Sequence, residues 1–193
     1  MKPYHHGELR SALIAAALDL LEREGPSALT LRGLARCVGV SPMAPYHHFA
    51  NRAELLATVA AAGFDRLQQG KQAVVAAAGT SVDRALVAGT ANYVAFMLGH
   101  PNLYRLMKGP DLADRAAHPA LQRAAAAPAA QLLGLIKTLL GPNSRHDPAA
   151  CAQMLWGLAH GIGTLALDRQ IAAGEADALA RGGAEAMIAG WLD

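Results

Sequence analysis

Residues 30–52 read TLRGLARCVGVSPMAPYHHFANR, and this stretch predicts two short helices joined by a tight turn. Thr30 is a good N-cap for a first helix whose apolar residues recur at helical spacing. Gly39 breaks that pattern, and Ser41-Pro42 starts a second helix with a cap and a proline in the first turn. A helix of about two turns is not stable alone. Holding one on a domain surface is typical of a helix-turn-helix that reads DNA.

The flanking residues complete a small head and connect it to a larger body. Glu8 opens a long first helix that ends at Gly25-Pro26. Asn51 and Glu54 form a capping-box pattern that starts a connecting helix. From about residue 71 the apolar residues recur at helical spacing only, between glycine and proline breaks. The predicted body helices are 71–78, 81–98, 101–108, 119–140, 147–172 and 176–192.

The sequence therefore predicts an all-α fold with a three-helix helix-turn-helix head, a connecting helix and a helical-bundle body. The predicted DNA-binding domain is 1–52, with the connecting helix at 52–70. The predicted body is 71–193.

Charge and cysteine content limit the possible functions only weakly. The formal charge of +2 does not by itself indicate a nucleic-acid partner. Residues 1–70 hold seven Lys or Arg against six Asp or Glu, so DNA binding must depend on where the charges lie. Cys37 and Cys151 fall in apolar helical patterns, which predicts two buried, reduced thiols. Without a signal-type N-terminus or an apolar run of roughly 20 residues, we expect a cytoplasmic protein with no membrane segment.

The head resembles the TetR family of transcriptional regulators over residues 8–65. The opening HHGELR (5–10) and the later WGLAHG (156–161) look like the branch with a WHG-type C-terminal domain. The resemblance implies a homodimeric, ligand-responsive repressor that binds a near-palindromic double-stranded DNA operator and is released by a small, largely apolar effector. The residues that carry it, in the family's order and spacing, are Thr30, Leu34, Ala35, Gly39, Val40, Ser41, Tyr46, Phe49 and Leu55.

In the family pattern, residues 41–48 form the recognition helix. Met43 and Ala44 would face the base edges, where they could touch a thymine methyl group but could not pair with guanine. Pro45 stands where many family members have an apolar residue such as Leu. It lacks the N–H of the first intrahelical bond, so the helix would start irregularly or one turn later. The predicted DNA-binding residues are Thr30, Arg32, Ser41, Pro42, Met43, Ala44, Tyr46, His47, His48 and Arg52.

Core packing and a solvated surface are the alternative interpretations of the same residues. The rings of Tyr46 and Phe49 could belong to the core, and His47 and His48 could be solvated. Adjacent histidines on a helix point about 100° apart, so we expect no metal site here.

The resemblance also implies that the body, residues 71–193, is an effector-binding and dimerisation domain with an effector pocket among its central helices. Aromatic and sulfur-containing side chains there offer apolar surface with a few polar tips, although each could be simple core packing. His160 needs a partner in its apolar helix, which is either a neighbouring carbonyl or a ligand. Few charges line these helices, which favours a neutral or weakly polar effector. The candidates are Tyr93, Phe96, Met97, Tyr104, Met107, Leu135, Trp156 and His160.

The segment 151–171 is apolar on nearly all sides and so should be buried on nearly all sides. Glycines within a helix cost about 1 kcal/mol each, and close approach of another helix would offset that cost. The expected partner is the same helix of a second subunit, with 176–192 joining a four-helix interface. The predicted interface residues are Gly157, Gly161, Leu165, Ala186 and Met187.

Two other functions stay open. A small helical enzyme could use His160, but no nucleophile, carboxylate pair or metal-ligand cluster accompanies it at a readable spacing. We therefore expect no enzymatic activity, no cofactor and no metal. A helical adaptor that has lost DNA binding, with Pro45 as the lesion, is the other alternative.

Overall fold

The computed structural model of the protein describes residues 6–109, 112 and 115–192. Within them the chain forms eight α-helices and short 3₁₀ turns, with no strand, which confirms the all-α fold class. The helices are α1 (His6–Glu24), α2 (Leu31–Val38), α3 (Arg52–Ala77), α4 (Val82–Gly99), α5 (Pro101–Lys108), α6 (Pro119–Leu140), α7 (Pro148–Leu167) and α8 (Ala176–Leu192).

Two of the predicted boundaries are wrong. Residues 52–70 and 71–78 were expected to form two helices, but α3 runs through both ranges without a break. Gly70 alone does not end a helix, because a glycine inside one costs only about 1 kcal/mol. The helix predicted to end at residue 172 ends at Leu167, and Arg169 follows in the left-handed region with φ 58°. Pro128 lies inside α6 without ending it.

The chain divides into two compact units. Unit 1 lies within residues 1–65 and 102–124, and unit 2 within residues 66–101 and 125–193. The first unit therefore includes residues 102–124, which the predicted boundary assigned to the body. The functional division of the chain near residue 71 stays a prediction.

Unit 1 has a core of large aliphatic side chains and Phe49, which is 1% exposed. Its two chain segments are joined through Glu22 in α1. The carboxylate of Glu22 accepts hydrogen bonds from the N–H groups of Asn102 and Leu103 at 3.3 and 2.9 Å. It thus caps the first turn of α5, where N–H groups have no partner within their own helix. A Cβ built on Gly63 would lie 2.8 Å from Leu103 Cδ1, so α3 and α5 pack closely there.

Unit 2 is built around α4, which packs against α7 and α8. By length and composition, α7 is the one helix of the described residues that could cross a membrane. The core helix of a soluble protein passes the same test, and α7 contributes Cys151, Ala152 and Leu155 to the core of unit 2. Other buried members of that core are Leu86, Ile136, Ala184 and Ile188.

The two cysteines are free and lie in different environments. Cys151 is buried as predicted, and its desolvation raises the pKa of the thiol. The prediction of a buried thiol is wrong for Cys37, which is exposed. The buried face of α2 carries Leu31, Leu34 and Ala35 instead.

Candidate nucleic-acid interface

The first helix of the predicted pair has the ends that the sequence indicates. Thr30 has extended backbone, and its hydroxyl oxygen accepts a hydrogen bond from the Gly33 N–H at 3.0 Å, which confirms the N-cap. A Cβ built on Gly33 would lie 2.8 Å from that oxygen, so glycine suits the capped turn. Gly39 ends α2 at φ 74°, where a residue without a side chain is favoured.

The second element is not the predicted α-helix. Residues Ala44–His47 form a 3₁₀ turn, in which the Tyr46 N–H donates to the Met43 carbonyl at 3.1 Å. The Ser41 carbonyl accepts from the Ala44 N–H at 3.0 Å, three residues on. In an α-helix the Ser41 carbonyl would accept from the N–H of residue 45, which proline lacks. Pro45 is also buried, so its ring fixes the short turn beneath the exposed residues.

Most of the predicted DNA-binding residues are accessible. Met43 is 63% and Tyr46 41% exposed, so the alternative of Tyr46 as a core residue does not hold. Phe49 has the core role considered for it. Ala44 and His48 are half-buried. The exposed members of the predicted set are Thr30, Arg32, Ser41, Pro42, Met43, Tyr46, His47 and Arg52.

Arg52 has a structural role that the sequence did not indicate. Its Nε donates to the Leu29 carbonyl at 3.0 Å and its Nη2 to the Pro26 carbonyl at 2.7 Å. These bonds tie the start of α3 to the loop that precedes Thr30. They use two of the five guanidinium donors, so a phosphate contact by Arg52 stays a prediction.

Two further features stabilise this part of unit 1. The N-cap of α3 is confirmed, because Asn51 Oδ1 accepts from the Glu54 N–H at 2.9 Å. Glu54 itself reaches back to the Ala50 N–H at 2.7 Å. Arg10 of α1 lies over the Phe49 ring, with 5.7 Å between its Cζ and the ring centroid. Sequence reasoning missed Arg10, because no local pattern relates it to a ring in a distant segment.

The predicted effector residues fall into different surroundings. In unit 2, Trp156 Nε1 donates to the Tyr93 hydroxyl at 3.2 Å, and the centroids of the Trp156 and His160 rings are 5.5 Å apart. Trp156 is 44% exposed, whereas Tyr93, Phe96 and Met97 are buried.

The other candidates lie elsewhere. Leu135 packs against the core cluster of unit 2, and Tyr104 and Met107 are buried in unit 1. An effector-binding role for all eight residues stays a prediction.

The predicted dimer residues lie on the outer surfaces of α7 and α8. Gly157, Leu165 and Ala186 are exposed, and Gly161 and Met187 are half-buried. A Cβ built on Gly157 or Gly161 meets nothing within 4 Å. Met154, Trp156 and Leu165 of α7 are also exposed in the single chain. The expected burial of α7 on nearly all sides, with a second subunit as partner, therefore stays a prediction.

Comparison with known proteins identifies the family. Residues 13–59 match the family model of bacterial regulatory proteins of the tetR family. Residues 86–188, more than half of the chain, match the model of the tetracyclin repressor-like C-terminal domain. The fold and these matches define a helix-turn-helix, DNA-binding transcriptional regulator. The chain belongs to the TetR family, whose members are transcriptional regulators and not enzymes.

Individual proteins are similar to part or all of this chain. The regulator BetI of Rhizobium meliloti (strain 1021) is 33% identical over 75 residues, which are 39% of this chain and 37% of that protein. A protein of unknown function from Rhodococcus sp. RHA1 is 31% identical, with a TM-score of 0.88 and full coverage of both chains. The TetR-family regulator PfmR from Thermus thermophilus is 15% identical, with a TM-score of 0.66 over 92% of this chain and 97% of PfmR. The last likeness concerns the fold alone.

Proposed function

We propose that the protein is a cytoplasmic, homodimeric repressor that binds a near-palindromic operator and is released by a small effector. The observation that carries this proposal is the exposed surface of residues 41–47, held by the buried Pro45 and placed directly after α2. Met43 is the most exposed large apolar side chain there. A solvent-exposed methionine has no packing role in the free protein, whereas it suits contact with base edges in a major groove.

Phosphate contacts are expected to supply most of the DNA affinity. Arg32 lies in the first turn of α2, and Tyr46 presents a half-exposed ring with a terminal hydroxyl. Side chains of this kind position a helix-turn-helix protein on the duplex without reading its sequence. Sequence preference then depends on the few groups near Met43 and on the shape of the DNA.

The test is DNA binding by Arg32→Ala and Tyr46→Phe, measured by fluorescence anisotropy on a duplex selected from a random library. Arg32→Ala should weaken binding most at low salt and make the salt dependence less steep, lowering the slope by about 1 for the loss of one phosphate contact. Tyr46→Phe removes a neutral hydroxyl, so affinity should fall about fivefold, or about 1 kcal/mol, with the slope unchanged.

Arg145→Ala is the matched control, because Arg145 is exposed but lies in unit 2. Arg52 is a poorer test residue, since its replacement also removes bonds to Leu29 and Pro26. Unchanged affinity in both Arg32→Ala and Tyr46→Phe would show that the contacts are wrongly assigned. Absence of any selective binding at low salt would favour the adaptor function.

The dimer is supported by the outer surfaces of α7 and α8. Small residues recur there at helical spacing, including Gly157 and Gly161 on α7 and Gly182 and Ala186 on α8. None of the three glycines has a neighbour that a side chain would meet. A second copy of these two helices could therefore approach closely and cover the apolar side chains around them.

The effector is proposed to bind in unit 2, where α4 and α7 bring Tyr93, Trp156 and His160 together. A ligand contacting these rings would alter the packing of two helices of the body. Release from the operator by such a ligand is measured by titrating it into the protein–DNA complex. His160→Ala should keep DNA affinity and reduce the response to the ligand, whereas loss of DNA binding itself would assign His160 a structural role.

A further inference from the structure

Lys71 is a buried cation in the middle of α3. It is 7% exposed, a position that lysine rarely occupies. Its Nζ donates to the Pro128 carbonyl of α6 at 2.9 Å. The ion pairs formed within the described residues do not include Lys71. Burial lowers the pKa of Lys71 to about 8, so the ammonium form still prevails at neutral pH.

Gln68 lies one turn before Lys71 and faces the same helix. Its Nε2 donates to Gln131 Oε1 at 3.1 Å, so Gln68–Gln131 and Lys71–Pro128 form two parallel polar links between α3 and α6. The other amide atom of Gln68, Oε1, is buried without a hydrogen-bond partner in the part of the chain that the structure describes.

Asn92 of α4 adds a second such oxygen. Its Oδ1 is also buried and lacks a partner among the described residues. A Cβ built on Gly70 would lie 3.2 Å from the amide nitrogen and oxygen of Asn92, and one built on Gly89 would lie 3.6 Å from Lys71 Cε. The two glycines thus let Asn92 and Lys71 lie close to the backbones of α3 and α4, and all these residues belong to unit 2.

The hydrogen-bonding groups of Lys71, Gln68 and Asn92 that have no protein partner within the described residues indicate which kind of ligand could bind. An ammonium group has three donors, one of which is used by Pro128, so Lys71 can bind an anionic acceptor. The unpartnered amide oxygens require a donor, which a carboxylate alone does not supply. Phe96, one turn after Asn92 on α4, is buried and apolar, and the buried Thr90 uses its hydroxyl to donate to the Leu86 carbonyl at 2.8 Å.

We propose that Lys71, Gln68 and Asn92 bind the polar end of an apolar hydroxy acid. The carboxylate contacts Lys71, and the hydroxyl donates to an amide oxygen of Gln68 or Asn92. This proposal rests on the proposed function only because it treats the compound as the effector. The sequence predicts a neutral or weakly polar effector, whereas the site around Lys71 favours an anionic one. Sequence reasoning missed Lys71 because a lysine in a helix normally lies on the exposed face.

The test is titration calorimetry on the full-length protein without DNA, using 2-hydroxyoctanoate, octanoate and 2-hydroxyoctanamide. The three probes share the same flexible alkyl chain, which can adapt to the shape of the site, so they differ only at the polar end. The hydroxy acid should bind most tightly, and loss of either the charge or the hydroxyl should weaken binding about tenfold. Equal binding of the acid and its amide, or no binding by any of the three, would overturn the proposal.

Variants assign the contacts. Lys71→Met should abolish the preference for the acid over the amide, and Gln68→Met should reduce the preference for the hydroxy acid over octanoate. Lys137→Met, at an exposed lysine of α6, is the matched control and should change neither. An equal loss in Lys137→Met would contradict the assignment.

The same preparations separate this site from the regulatory function. The series on the unaltered protein decides the question even where Lys71→Met does not fold. DNA binding without any preference among the probes rejects the site and leaves the repressor proposal intact. If the protein distinguishes the probes but does not bind DNA, the site is retained and the repressor proposal is rejected.

Discussion

Two arginines of the predicted DNA-binding set differ in what surrounds them. Arg52 and Arg32 are both exposed arginines close to α2. The guanidinium of Arg52 holds the loop before Thr30 through two carbonyls, whereas Arg32 is placed on the helix that the loop positions. Replacing Arg52 would disturb the loop that supports the predicted DNA-binding surface, whereas replacing Arg32 would change that surface directly.

Lys71 gives a prediction of stability against pH. Its pKa of about 8 lies below the ordinary value of 10.5, so between these values the unfolded chain holds a proton that the folded chain has lost. The free energy of unfolding should therefore rise with pH across this window, by up to about 3 kcal/mol once pH 10.5 is passed. Urea unfolding at several pH values measures it.

The comparison with Lys71→Met isolates the effect of this one group from other titrations. Above pH 8 the free energy of unfolding of the wild type should increase relative to that of Lys71→Met. Lys137→Met should follow the wild type throughout. A constant difference between wild type and Lys71→Met from pH 7 to 11 would mean that burial does not perturb this lysine.

At the scale of the element, helix ends decide how the chain is arranged. Glu22 caps α5 from α1, so one carboxylate fixes the relation between two segments about 80 residues apart in sequence. Glu22→Ala should lower the free energy of unfolding by about 1–2 kcal/mol, because two N–H groups lose their partner. Chemical denaturation of unligated protein measures this.

Asp177→Ala is the control for that change. Asp177 bonds Arg181 on the exposed face of α8, and surface pairs of this kind contribute about 0–1 kcal/mol. A cost in Glu22→Ala no larger than in Asp177→Ala would show that the cap contributes little.

Residues 41–48, the predicted recognition helix, and α3 show which elements can be predicted from the sequence. Caps and breaks at Thr30, Gly39 and Asn51 were read correctly, because each acts through its nearest neighbours. Pro45 was recognised as a disturbance, yet its outcome as a 3₁₀ turn depends on the burial of its ring in the folded unit. The continuity of α3 past Gly70 likewise follows from tertiary packing, which local propensity does not contain.

The same distinction holds for the candidate site. Most of the predicted DNA-binding residues are exposed, because polar residues at helical spacing indicate the exposed face of a helix. The roles of Arg10, Glu22 and Lys71 were not found, because each partner lies in another segment. A buried lysine and an exposed one look alike in a sequence.

For the whole molecule, the proposed dimer would form through the outer surfaces of α7 and α8. Gly161→Leu should leave the fold of one chain intact, because the built Cβ meets nothing within 4 Å. It should shift the protein from dimer to monomer, since a leucine would separate the two copies of α7. Sedimentation equilibrium measures the association, and DNA affinity for a two-half-site duplex should fall with it.

Gly134→Leu on α6 is the control, as Gly134 is an exposed helical glycine whose built Cβ also meets nothing within 4 Å. It should leave the oligomeric state unchanged. A dimer that persists in Gly161→Leu would place the interface elsewhere.

The discontinuity of unit 1 has a consequence for how the protein is made. Its core is closed by residues of α5 and by Leu121, which leave the ribosome after residues 66–101 of unit 2. At about 5–20 residues per second, the helix-turn-helix segment waits several seconds for these partners. The buried core of unit 1 is therefore complete only after α5 and the start of α6 have emerged, although α1 and α2 are synthesised first.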